Sequence, residues 1–241
     1  MGNILADTYE TFAENIRLVL IFSIPFIIAF IIPLLAPLPT YVSMGGIFLR
    51  SASIFTNLDF YSIAVILLAF FFSLLFISFA FVAISLIVKS RKTRLKIGQR
   101  ALRSIEKYTG RVFILFIIYA IIITIANIIG YYLGIETFLT GIVGFLGFIP
   151  FFYAPSAVVV DEQKILRSMK NSIKLVANSP QYFILWFLLI TISISIVSLV
   201  FMPLGIISEY IVLIVSSLII LPYFVIFQAE AYMKRFAILK H

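Results

Sequence analysis

Any catalysis by this chain would have to be built from carboxylates, hydroxyls and amines. The 241 residues include 10 Asp and Glu, 18 Lys and Arg, one histidine and no cysteine. The missing thiol excludes disulfides, iron–sulfur clusters, thiolate zinc sites and cysteine nucleophiles. The histidine is His241, the last residue, and chain ends are seldom held firmly enough to ligate a metal or abstract a proton. The sequence has no His-Glu zinc helix and no intramembrane Asp pair or Ser–His pair. Glu136, Asp161, Glu209 and Glu230 border apolar runs, where solvated carboxylates are expected. Ionisable groups inside a membrane mark proton relays and ion paths, and their absence argues against a proton-coupled pump. The expectation is therefore a protein that is not an enzyme and that binds no cofactor or metal.

The elements that would carry any such group are apolar. Hydrophobic residues make up 63% of the chain and the mean hydropathy is +1.19, against about 45–50% apolar for a soluble domain. One core of this size cannot bury that excess. A helix needs about 20 apolar residues to cross about 30 Å of hydrocarbon. Six stretches qualify, at about 18–35, 60–88, 112–133, 138–160, 182–202 and 210–227, and none contains Lys, Arg, Asp, Glu or His. Asp7, Glu10 and Glu14 precede the first, which is unlike a signal peptide. Ala6 stands where a myristoylation signal needs Ser or Thr.

Basic residues set the expected orientation. Lys89, Arg91, Lys92, Arg94, Lys96, Arg100, Arg103, Lys107 and Arg111 follow the second stretch; Lys164, Arg167, Lys170 and Lys174 follow the fourth; Lys234, Arg235 and Lys240 close the chain. Six spans put all of these on one face with Arg17, leaving Arg50 on the other. Both termini are expected in the cytoplasm and the protein in the cell (plasma) membrane. Lys89, Arg91, Lys92, Arg94, Lys96, Arg100 and Arg103 are expected to face anionic lipid headgroups. The net charge of +8 then reflects lipid, and no nucleic-acid partner is expected.

Three amphipathic helices are expected on the cytoplasmic side, at about 3–17, 94–108 and 162–177. Leu5, Tyr9, Ala13 and Ile16 share a stripe in the first; Ile97, Ala101, Ile105 and Tyr108 in the second; Ile165, Met169, Ile173 and Val176 in the third. Phe113-Ile114-Leu115-Phe116 and Phe183-Ile184-Leu185-Trp186 open two following spans. Equal offsets suggest a threefold repeat of surface helix and membrane hairpin. The surface helices either lie in the interface or cap the bundle. Gly141, Gly144 and Gly147 put small residues along one helix edge, suited to close helix packing. Pro25, Pro33, Pro150 and Pro155 are expected to kink their helices. Asn127 should meet another helix or water, and Thr191, Ser193, Ser195 and Ser198 give the fifth span a hydroxyl face. The loop at about 36–59 has room for a short re-entrant or interfacial helix.

The run Ala154-Pro155-Ser156-Ala157-Val158-Val159-Val160-Asp161-Glu162, followed by Ser168 to Asn178 with Ser172 near its middle, resembles a family. That family is the uncharacterised six-span integral membrane proteins of archaea and bacteria related to the membrane domain of glycerophosphodiester phosphodiesterases. The resemblance covers about 30 residues and implies a six-span fold; it implies no catalytic residue. No phosphodiesterase domain accompanies these spans, so that activity is not implied. The isoleucine-rich, cysteine-free composition points to an archaeal source. The expected fold is all-α, one polytopic domain over 1–241 with six transmembrane helices and three cytoplasmic amphipathic helices. The expected role is an accessory subunit, assembly factor or scaffold acting through membrane lipids and protein partners. The alternative is a small-molecule or lipid transporter.

Overall fold

The computed structural model describes residues 2–35, 40–43, 46–49, 60–93 and 99–238. Among the described residues, five helical stretches are long and apolar enough to cross a membrane: Ile63–Arg91, Ile105–Leu133, Thr137–Val160, Pro180–Leu204 and Ile207–Lys234. A sixth arises if the helix pair at the N-terminus, bent by 90°, counts as one span. That pair is α1 (Gly2–Glu14) and α2 (Ile16–Ile31). Asn15 makes the corner, and its Nδ2 donates to the Thr11 carbonyl at 3.0 Å, satisfying an acceptor that the ending helix leaves open. A 3-10 turn, Ile32–Leu35, continues α2.

The next connection holds a hairpin, and residues 50–59 of the loop expected to have room for a short helix lie outside the described residues. Thr40–Ser43 (β1) pairs antiparallel with Gly46–Leu49 (β2), with Thr40 opposite Leu49. α3 (Phe60–Thr93) has no proline to interrupt its ladder and runs past the apolar stretch into Lys89 and Arg91. At 1.5 Å per residue its 34 residues span about 51 Å, well beyond a bilayer core.

α4 (Gln99–Leu133) joins two elements that the sequence reading separates. The expected boundary between 108 and 112 is absent, because Thr109-Gly110-Arg111 retains every backbone donor and the helix runs straight through. α5 (Glu136–Phe152) and α6 (Ala154–Val160) form one span interrupted at Tyr153. α7 (Ile165–Asn178) ends at Ser179, and Pro180 starts α8 (Pro180–Phe201).

Gly205, at φ 61° and ψ −132°, turns the chain into α9 (Ile206–Val215) through a conformation that disfavours other residues. A π-helical turn, Ser216–Ile220, leads into α10 (Leu221–Ile238). Pro222 explains that widening: its ring would press on the carbonyl four residues back in a regular helix.

α6 lies at the centre. Every residue from Ala154 to Val159 is buried, packed among α3, α4, α7 and α10. The stripes expected to repeat have unequal surroundings. In α1 the buried positions are Ile4, Thr8 and Thr11, while Tyr9 is 68% exposed. Ile105 and Tyr108 are buried in α4; in α7 Val176 is buried and Ile173 is exposed.

Candidate functional site

The polar residues gather where α3, α4, α6, α7 and α10 meet at the charged end. The break at Tyr153 begins this site. In a regular helix the Tyr153 amide would bond the Ile149 carbonyl. Here the Ser172 hydroxyl stands between them, accepting from Tyr153 N–H at 2.9 Å and donating to Ile149 O at 2.7 Å. Pro150 and Pro155 already remove two donors from this stretch, so the ladder is weakest where the hydroxyl enters.

α6 ends on a cation. Lys89 Nζ donates to the Val159 carbonyl at 2.9 Å, a favourable place for positive charge at a helix C-terminus. The following turn puts Glu162 at φ 56°. Its carboxylate meets Lys107 at 3.0 Å and Lys89 at 4.0 Å, and its carbonyl accepts from Arg111 at 3.1 Å. A hydrogen bond from the Tyr108 hydroxyl, then one from Lys107, hold the Glu162 carboxyl below its ordinary value, with the charges of Lys107 and Lys89 adding to the effect. Tyr232 donates its hydroxyl to Asp161, and Asn171 Nδ2 donates to Gln163 Oε1 at 2.8 Å.

A second cluster pins α1. Arg91 pairs with Glu10 at 3.0 Å and Glu14 at 2.9 Å and donates to the Thr11 hydroxyl. Thr11 in turn donates to Glu230 at 2.8 Å. Glu230, expected to be solvated, is only 2% exposed. Lys234 reaches Asp7 at 3.7 Å.

Two of the cations expected to face headgroups therefore turn inward. Lys89 and Arg91 are 22% and 23% exposed at the side chain. α3 stays helical to Thr93, which keeps both side chains beside carboxylates and a helix end. Helical residues Lys92, Arg100 and Arg103 have side chains outside the described set, and Arg94 and Lys96 lie outside the described residues altogether.

The small-residue edge packs in part. A Cβ on Gly144 would stand 3.6 Å from Ile123 Cδ1, and one on Gly147 about 4.0 Å from Ile122 and Tyr119, so these two face α4. Gly141 is exposed and a Cβ there would meet nothing within 4 Å; it does not share the contact. Tyr119 donates its hydroxyl to the Gly144 carbonyl at 3.0 Å, and Asn127 Nδ2 to Thr140 Oγ1 at 3.5 Å. Asn127 thus ties α4 to α5.

Between α5, α8 and α10 the space is filled by rings. Phe148, Phe152, Phe183, Trp186 and Phe224 contact one another at centroid distances of 5.0–6.4 Å, and Trp186 Nε1 donates to the Phe224 carbonyl. Of the fifth span's hydroxyls, Ser193 lines a groove of about 330 Å³ with Leu5, Leu189, Ile219, Ile220, Tyr223 and Phe224. Thr191 and Ser195 are exposed on the outer surface. The hydroxyls of Ser85, Thr109, Ser156, Ser216 and Ser217 are buried without a hydrogen bond. Among the described residues, no three carboxylate or histidine groups meet closely enough to hold a metal ion.

Sequence reasoning missed Ser172 as a hydroxyl inserted into another helix, and Glu230 as a buried carboxylate. The signal for the first was the pair Pro150 and Pro155; for the second it was Thr8 and Thr11, hydroxyls on one face of α1. The long apolar helices are those of a chain suited to a membrane, of the polytopic helical class. No protein-family model, curated protein or solved structure matches it.

Proposed function

We propose that this chain is a non-catalytic multi-pass protein of the plasma membrane, an accessory subunit, assembly factor or scaffold that works through lipid and protein contacts. The carrying observation is α8: of its 22 residues, most of them apolar, only Phe183 is buried. A span at the rim, half-buried along one side against α9 and α10, offers its other side to lipid or to a partner helix. Meanwhile the carboxylates of the charged end are taken up by Arg91, Lys107, Lys89, Lys234 and hydroxyls, an arrangement that supports fixing of the fold.

Six spans are part of this reading. α2 has 16 residues, about 24 Å, and its four-residue 3-10 extension adds about 8 Å. That reach matches about 30 Å of hydrocarbon without α1, which leaves α1 free to lie across the cytoplasmic surface. The absence of native cysteine makes orientation testable. In intact cells Thr137→Cys should react with an impermeant maleimide, and Lys170→Cys only after permeabilisation; the reverse pattern overturns the topology.

The scaffold role is tested by placing a photoreactive amino acid at Ile192 or Ile196, both exposed on α8. Discrete protein adducts in native membranes support it; lipid adducts alone, at both positions, refute it. The Ser193 groove favours transport as the second reading. In that case Ser193→Leu abolishes flux across proteoliposomes while Asn127→Leu, which breaks the α4–α5 contact, changes stability only.

A further inference from the structure

Four basic side chains surround a depression of about 630 Å³ at the charged end: Arg111, Lys164, Arg167 and Lys170, with Ile165 and Leu166. They come from the start of the apolar run of α4 and from the first turns of α7, where spans leave the bilayer in the reading above. Lys164, Arg167 and Lys170 enter no ion pair among the described residues. The nearby carboxylates are already engaged, Glu162 by Lys107 and Lys89, and Asp161 by Tyr232. α7 also begins without a side-chain cap or an acidic residue in its first turn, so its amide end adds to the positive field.

A pocket for a free anion would be lined by polar atoms. Here apolar surface predominates in the lining, and Leu166 is 73% exposed among the cations. That combination suits an anion attached to hydrocarbon. We propose that this pocket binds the phosphate-bearing headgroup of an anionic glycerolipid, with the four cations around the phosphate and Leu166 against the first methylenes of an acyl chain. The proposal rests on the membrane reading and names its lipid ligand. It also moves headgroup recognition from Lys89 and Arg91, which face inward, to α7.

The test is native mass spectrometry of the purified full chain in mild detergent, with phosphatidylglycerol and phosphatidylcholine of matched acyl chains. Phosphatidylglycerol should be retained preferentially. At about fivefold per basic group near an anionic lipid, the R167Q/K170Q variant should weaken its binding about 25-fold. R167Q alone should lose far more than K174Q, which removes a charge from the same helix outside the pocket. L166Q keeps every charge and should still lower lipid retention, which covers the case in which the double variant fails to fold. Equal losses in K174Q and R167Q would overturn the site in favour of diffuse attraction. Displacement of the lipid by inorganic phosphate at equal concentration would assign the pocket to a free anion. A chain that requires detergent yet binds both lipids equally would refute the pocket alone, whereas one soluble without detergent would remove the membrane reading beneath it.

Discussion

Replacing Ser172 with Ala should destabilise the protein by about 2–3 kcal/mol, which is large for one hydroxyl in a helical bundle. An interhelical hydrogen bond in a bilayer contributes about 0.6 kcal/mol on average, because the freed groups find other partners. Ser172 differs in two respects. Its hydroxyl serves two backbone groups, Tyr153 N–H and Ile149 O, and a buried polar group left unpaired costs about 1–3 kcal/mol. The natural remedy is for the two to bond each other, closing the helix at Tyr153. That closure would move α6, whose residues Ala154–Val159 are buried on every side, so it would trade one strain for another. Ser172→Thr keeps the hydroxyl and should retain most of the stability if its methyl is accommodated. The assay is reversible unfolding in mixed micelles, with amide exchange at Tyr153 as the local readout. If Ser172→Ala loses less than about 0.5 kcal/mol and the Tyr153 amide stays protected, the inserted hydroxyl is not holding the break open and the reasoning fails.

Other outcomes follow from the same contacts. Thr11→Val removes a hydrogen bond from the buried Glu230 carboxylate and should cost about 1–3 kcal/mol, with Thr11→Ser nearly neutral, read by thermal unfolding. Glu162 has its carboxyl lowered from 4.5, so its stabilisation is present above that pH and lost as pH falls through the lower folded value. Glu162→Gln should therefore flatten the acid limb of a melting-temperature profile, modestly, because the side chain is 52% exposed. Gly144→Ala meets ordinary contacts and should be tolerated, whereas Gly205→Ala must hold φ near 61° and should cost about 1–3 kcal/mol. Both are read by the same unfolding assay. With single cysteines, Tyr9→Cys should react with a water-soluble maleimide in proteoliposomes, and Ile24→Cys should be quenched only by lipid-phase probes; equal aqueous reactivity would place α2 outside the bilayer.

The apolar stretches were legible because hydropathy and the absence of charge determine them directly, and five appear as helices of spanning length. Their ends were less legible. A backbone ladder is indifferent to side-chain charge, so α3 and α4 continue through Lys89 and Arg111 as readily as through isoleucine. Which side faces inward was harder still. In lipid an apolar stripe no longer distinguishes core from exterior. α1 buries Thr8 and Thr11 and leaves Tyr9 outside: Glu230 and Arg91 engage the Thr11 hydroxyl, and Thr8 donates to the Ile4 carbonyl of its own helix. The break at Tyr153 depends on a hydroxyl 19 residues away, beyond any local pattern. Gly141 fits the spacing of Gly144 and Gly147, yet the contact with α4 does not extend as far as Gly141.

Two helices serve both polar clusters, and their sequences show how. On α3, Lys89 serves the α6 end and Arg91 serves α1. On α10, Glu230 serves α1 and Tyr232 serves the Asp161 turn. In each case the residues are two apart, about 200° around a helix, and therefore point to opposite sides. α3 and α10 also pack on each other, while Ile4 of α1 shares a buried apolar cluster with Tyr153, Ala157 and Val176. The polar clusters are therefore joined through α3 and α10 and through that apolar contact. A change at the Thr11 hydroxyl, such as Thr11→Val, leaves the Ile4 cluster and the α3–α10 packing in place. Its effect should add to that of Ser172→Ala within about 0.5 kcal/mol, as independent sites do. A larger departure from additivity would mean that α3 and α10 move as a unit, and that the docking of α1 is felt at the Tyr153 break.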